Sequence, residues 1–143
     1  MSWEAVTAIS TAILAVGVPA TILYSRLDQK EASRDERYLH YVGRYQKIIV
    51  HLPYNVFAKN GPNQVTEEQK SWLVSYIDLC TEELDDRKRG AIEEKVWEDW
   101  SGSIVEDFKR CIPLREVFAE VGGDYPHLSE FLKPLNLPGH GKG

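Results

Sequence analysis

Hydrophobic and polar positions follow two regimes along this chain. From Ala5 to Ser25, "AVTAISTAILAVGVPATILYS", no charged residue occurs, and from Arg26 onward charged and apolar residues interleave at helical spacing. As a helix rising ~1.5 Å per residue, the uncharged run extends roughly 31 Å, close to the ~30 Å hydrocarbon thickness of a bilayer. A core helix of a soluble domain normally turns one face to water and carries charge there. A secretory signal opens on positive charge and closes on a small-residue cleavage site. This chain opens on the acidic Met1-Ser2-Trp3-Glu4, and Val18-Pro19-Ala20 is a poor cleavage site. The pattern therefore predicts a transmembrane anchor over residues 1–25. Trp3 and Tyr24 bracket it where amphipathic rings favour the headgroup interfaces.

Arg26, Lys30, Arg34, Arg37 and Arg44 recur at intervals of three, four or seven, which places them on one stripe of a juxtamembrane helix over residues 26–50. Lys and Arg concentrate on the cytoplasmic side of spans, so the N-terminus is expected outside and the remainder in the cytoplasm. The five basic residues are candidate contacts to anionic headgroups or to a partner, with a solvated face as the plainer reading. Asp28, Glu31, Asp35 and Glu36 on neighbouring faces dilute the headgroup reading. Leu27, Tyr38, Leu39, Val42 and Ile49 fall on another face, assigned to the core.

"HLPYNVFAKNGPNQV", residues 51–65, breaks the helical period with Pro53 and Asn60-Gly61-Pro62, which is loop chemistry. Thr66-Glu67-Glu68-Gln69 has the form of a capping box. The spacing of Trp72, Leu73, Tyr76, Ile77, Cys80 and Leu84 predicts an amphipathic helix behind it. A further helix is expected to start near Asp86, with Ile92, Val96, Trp97, Trp100, Ile104, Phe108 and Cys111 on its apolar side. Pro113 suits the first turn of a helix from Leu114 to Val121, with Gly122-Gly123 as its stop, and Pro126 to Leu132 suits a short last helix. No alternating strand pattern is present. The fold class read from the chain is all-α: one N-terminal transmembrane helix, then a small cytoplasmic helical domain over 66–136 and a flexible tail over 137–143.

The net charge of −5 removes the electrostatic case for nucleic acid, which needs a concentrated basic surface. In a reducing cytoplasm Cys80 and Cys111 are expected as free, buried and inert thiols. Glu36-x-x-x-His40 supplies only two ligands one turn apart, so no metal site is assembled, and His127 and His140 belong to no metal or phosphate motif. The carboxylates Glu82, Glu83, Asp85, Asp86, Glu93, Glu94, Glu98 and Asp99 sit beside Arg87, Lys88, Arg89 and Lys95, and are expected on solvated helix faces. No catalytic residue and no cofactor is assigned, and the chain is read as not an enzyme.

Trp97-x-x-Trp100 puts two indoles on one helix face, as core or as docking aromatics. Around them the order is Trp-Glu near the start, a span ending in Ile-Leu-Tyr, a charged helix, "VWEDWSGSIVEDF" and "PLREVFAEVGGDYPHLSEFL". In this order the chain resembles the DUF4760 group of bacterial single-span membrane proteins, a resemblance that implies an inner-membrane location and brings no catalytic residues. Within the span, Ala8, Ala12, Ala15 and Pro19 line one face, the small-residue pattern that lets helices approach closely. The function expected is that of an accessory or scaffolding component of a membrane assembly, contacting membrane lipids and another membrane protein or a second copy. The alternatives are a membrane-tethered enzyme of unknown reaction and a small membrane-active toxin or channel-like protein.

Overall fold

A computed structural model of the chain describes residues 29–137, with side chains described from Arg34 onward. Every regular element among them is helical: α1 Gln29–Ile49, α2 Glu67–Lys88, α3 Glu94–Arg110, α4 Ile112–Val121 and α5 Pro126–Leu132, with 3₁₀ turns at Gly122–Asp124 and Lys133–Leu135. The all-α fold class holds for these residues. None of the described helices is long and apolar enough to cross a membrane. The expected span Ala5–Ser25 lies outside the described residues, as does the tail from Pro138. The chain divides into two compact units, Met1–His40 and Tyr41–Gly143, and the contacts reported below belong to the second.

Helix α2 begins where its sequence signature places it. The Thr66 hydroxyl accepts from the Gln69 amide at 3.1 Å and the Gln69 side chain accepts from the Thr66 amide at 2.9 Å. Two amides that lack partners in the first turn are thereby satisfied.

The other end of α2 differs from expectation. No helix starts near Asp86; α2 continues to Lys88 and α3 begins only at Glu94. The stop is Gly90, whose φ of +76° is the left-handed conformation that glycine adopts without strain. Its amide reaches Arg87 O at 3.0 Å and the Ala91 amide reaches Asp86 O at 2.8 Å, the paired bonds of a Schellman stop. The Arg87 side chain then donates to Ile92 O across the reversal, at 3.0 Å.

Leu73, Ile77, Leu79 and Cys80 of α2, Phe108 of α3, Leu114 and Phe118 of α4, and Leu128 and Leu132 of α5 are buried almost completely and form the centre of the core. Phe108 and Phe118 meet edge to face with centroids 5.3 Å apart. Cys111 and Pro113 join α3 to α4 inside this core. Trp97 and Trp100 are not its centre: both are partly buried and pack on its margin.

The inward face of α1 is rotated from the one its apolar residues suggested. Leu39 is 41% exposed, and Val42 and Ile49 are half-buried, while Tyr41 and Ile48 are each 4% exposed. The phase moves because the Tyr41 hydroxyl donates to the Asp86 carboxylate, so the ring is buried without an orphaned polar group. Segment 51–65 also enters the core, through Leu52 and Val56. It is fixed by a His51 ring stacked on Trp72 at 3.9 Å, and by Gly61, where an added Cβ would meet Asn55 O at 2.6 Å.

Candidate functional site

Helix α2 is the strut on which a site is built. Its polar side chains, several of them expected on a solvated face, fasten it to α1, α3 and the region of α5. The Tyr125 hydroxyl donates to Asp78 at 2.6 Å, and His127 Nδ1 lies 2.7 Å from Asp85. Glu82 pairs with Arg44 of α1, and Asp86 takes Tyr41 and Arg89. Two of these carboxylates are buried, Glu83 at 8% exposure and Asp86 at 7%, which corrects the reading of that stretch as solvated surface. Glu82 does remain exposed. Beside the apolar face of α2, with Leu73, Ile77 and Cys80, these polar contacts let part of its charged face pack inward.

Where α1 from Tyr41 onward, α2 and α3 diverge, they leave a cleft of about 210 Å³. Tyr41 and Tyr45 come from α1, Tyr76 and Glu83 from α2, and Trp100, Ser103 and Asp107 from α3, with Val42, Leu79 and Ile104 filling between them. The rings pack on one another: Tyr41 and Trp100 edge to face at 5.7 Å, Tyr45 and Tyr76 tilted at 6.3 Å. The Tyr76 hydroxyl donates to Asp107 at 2.6 Å.

Two carboxyls of different standing face this space. Glu83 has no hydrogen-bond partner among the described residues. Burial pushes its pKa up to about 8, against the lowering effect of the nearby Arg44 guanidinium, which is itself engaged by Glu82. Asp107 is pushed by burial to about 6, with the Tyr76 hydroxyl and Arg110 pulling the other way. Burial likewise holds the Tyr76 and Tyr45 hydroxyls above the ordinary tyrosine range, with Asp107 adding to both. The cleft therefore holds a carboxyl that is largely protonated at neutral pH beside one that is largely ionised.

The residues singled out in the sequence are not gathered here as a set. Ala8, Ala12, Ala15, Pro19 and Arg26 lie outside the described residues, and so does the Lys30 side chain. Arg34 is exposed and Arg37 half-buried in the first unit. Arg44, a candidate headgroup or partner contact, pairs with Glu82. The two indoles separate in role: Trp100 lines the cleft against Tyr41, whereas Trp97 packs on Phe131 of α5 with centroids 5.8 Å apart. Cys80 and Cys111 are free and buried, and burial raises both thiols, Cys111 to about 11, which leaves them unreactive at neutral pH. Among the described residues no three His, Cys, Asp or Glu side chains gather to hold a metal ion. Glu83 and Asp107, the pair that matters in the cleft, were missed. The available signal was that Tyr76, Leu79 and Glu83 share one helical face at spacings of three and four.

No protein-family model, curated protein or solved structure matches the chain.

Proposed function

We propose that the chain is a single-pass membrane protein of the bacterial inner membrane, with its N-terminus outside and a cytoplasmic helical domain that serves as an interaction or scaffolding component of a membrane assembly. The observation that carries this reading is the charge-free run Ala5–Ser25 followed directly by Arg26, Lys30, Arg34 and Arg37. The partners are the lipids around the span and another membrane protein or a second copy, approached through the face of Ala8, Ala12, Ala15 and Pro19. A domain fastened by so many side-chain bonds along α2 suits a rigid platform. A second reading, a membrane-tethered enzyme, is favoured by Glu83 and Asp107, whose pKa values of about 8 and about 6 are separated as in acid–base pairs.

The test combines insertion with association. The chain is expected to resist carbonate extraction from membranes. Ala12→Leu with Ala15→Leu is expected to leave insertion intact, since Leu enters lipid at least as well as Ala, and to lower the crosslinked or co-purified fraction several-fold. Matched substitutions at the already large Ile13 and Val16 serve as the control. Recovery of intact chain in the soluble fraction contradicts the anchor, and equal crosslinking for both pairs contradicts the small-residue interface.

A further inference from the structure

Glu83 stands out among the residues of the cleft: its side chain is mostly buried, at 8% exposure, it lines the cleft, and it is hydrogen-bonded to no described residue. Its carboxyl oxygens open onto the cleft, where a donor that enters can complete their hydrogen bonds. The groups around Glu83 narrow what that donor is. Asp107 across the cleft spends bonding capacity on the Tyr76 hydroxyl but keeps lone pairs to accept another donor. Ser103 adds an acceptor at the exposed edge. Tyr41, Tyr45, Tyr76 and Trp100 present aromatic surface, and the first and third of these have hydroxyls already committed to Asp86 and Asp107. Carboxylate oxygens with aromatic rings are the surroundings that attract an organic cation. The cation nearest Glu83, Arg44, is held by Glu82 and does not line the cleft.

We propose that this cleft binds a small free primary amine in its ammonium form, with Glu83 and Asp107 accepting its N–H bonds and the rings of Tyr45 and Trp100 flanking its alkyl chain. The volume sets the size. A cleft of about 210 Å³ exceeds the ~150 Å³ of a cavity that holds benzene, which is room for the alkyl chain of an amine of four to six carbons. This inference does not depend on the membrane anchor or on the interaction role.

Binding carries a proton signature. The empty site keeps Glu83 protonated up to pH about 8. The ammonium ion favours the ionised carboxylate, so Glu83–COOH and R–NH₃⁺ give the Glu83–COO⁻···⁺H₃N–R pair and one proton released to solvent. The titratable or charged groups acting on Glu83 are Arg44, Tyr41 and Tyr45 from α1, Glu82 and Cys80 from α2, and Asp107 across the cleft from α3. Asp107 is raised to about 6, and its ionisation adds to the pull on the amine.

The experiment is calorimetric titration of the whole 143-residue chain with n-butylammonium, tetramethylammonium and butyrate, in two buffers of different ionisation heat. Butylammonium is expected to bind, with affinity rising about tenfold per pH unit from pH 6 towards 8 and then levelling, and with about one proton released below pH 7. Glu83→Gln is expected to lose at least tenfold in affinity and the whole of the pH dependence. Ser103→Trp, at the exposed edge of the cleft, is expected to block binding while leaving the helical circular dichroism unchanged, and butyrate is expected not to bind. No butylammonium binding at pH 8.5 overturns the proposal. So does wild-type binding by both variants, and so does tetramethylammonium binding as tightly as butylammonium, since a quaternary ion donates no N–H bond.

Discussion

Glu83 and Tyr41 show how single residues settle the structure against their polarity class. Glu83 was read from the sequence by what such a side chain usually does, a Glu within "EELDD" facing water, and Tyr41 was not among the residues assigned to the core face of its helix. The structure buries both, because a partner 45 residues away in sequence accepts the Tyr41 hydroxyl while the Glu83 carboxyl keeps its proton. Tertiary partners of that kind leave little local trace: the shared face of Tyr76, Leu79 and Glu83 was the one signal for the cleft and nothing pointed to Asp107, whereas Leu73, Ile77, Cys80 and Phe108 were legible from helical spacing alone. The Glu83 pKa has a consequence for stability. Because the folded value, about 8, lies above the ordinary 4.5, the native state binds more protons than the unfolded state between those values. The stabilising contribution is then complete below pH about 4.5 and is lost as pH rises through about 8. Asp107, raised from 3.8 to about 6, acts in the same direction over the lower part of that range. In denaturant titrations Glu83→Gln should match the wild type near pH 4.5 and exceed it at pH 9 by on the order of 3 kcal/mol. Parallel pH profiles for the two proteins would show that Glu83 ionises normally.

Helices were more legible than the seams between them. The Thr66 capping box, the Pro113 start and the last helix at Pro126–Leu132 were all expected, since each rests on chemistry contained within a turn. The start near Asp86 was not borne out: the φ of Gly90 and the backbone bonds of Gly90 and Ala91 make that stretch a helix end. The rotated face of α1 has the same origin, for a helix with several tyrosines offers two apolar stripes and only its packing partner selects between them. Gly90 gives a direct check. An added Cβ at Gly90 meets no atom, so Gly90→Ala tests backbone conformation with no steric clash. Thermal or chemical denaturation is expected to show a loss of about 1 kcal/mol, the cost of forcing a non-glycine residue into the left-handed region. A neutral or stabilising effect would mean that the α2–α3 reversal does not need that conformation.

For the whole molecule the all-α class was readable from periodicity. The core was drawn too narrowly, because Leu52 and Val56 sit in a segment whose Pro, Asn and Gly content spells loop. The platform that results, a helical unit from Tyr41 fastened along α2, is the part proposed to face the cytoplasm, and its placement across the bilayer is the central claim of this account. Site-directed thiol labelling tests it most directly. Cys80 and Cys111 are each 1% exposed and supply little background. Ser2→Cys introduces a thiol before the uncharged run, and Tyr54→Cys introduces one at a fully exposed loop position of the helical unit. In intact spheroplasts treated with a membrane-impermeant maleimide, Ser2→Cys is expected to label and Tyr54→Cys to remain unlabelled until the membrane is permeabilised. Labelling of Tyr54→Cys in intact spheroplasts, or protection of Ser2→Cys in them, would contradict the orientation. Release of the chain into the supernatant on lysis would contradict the anchor itself.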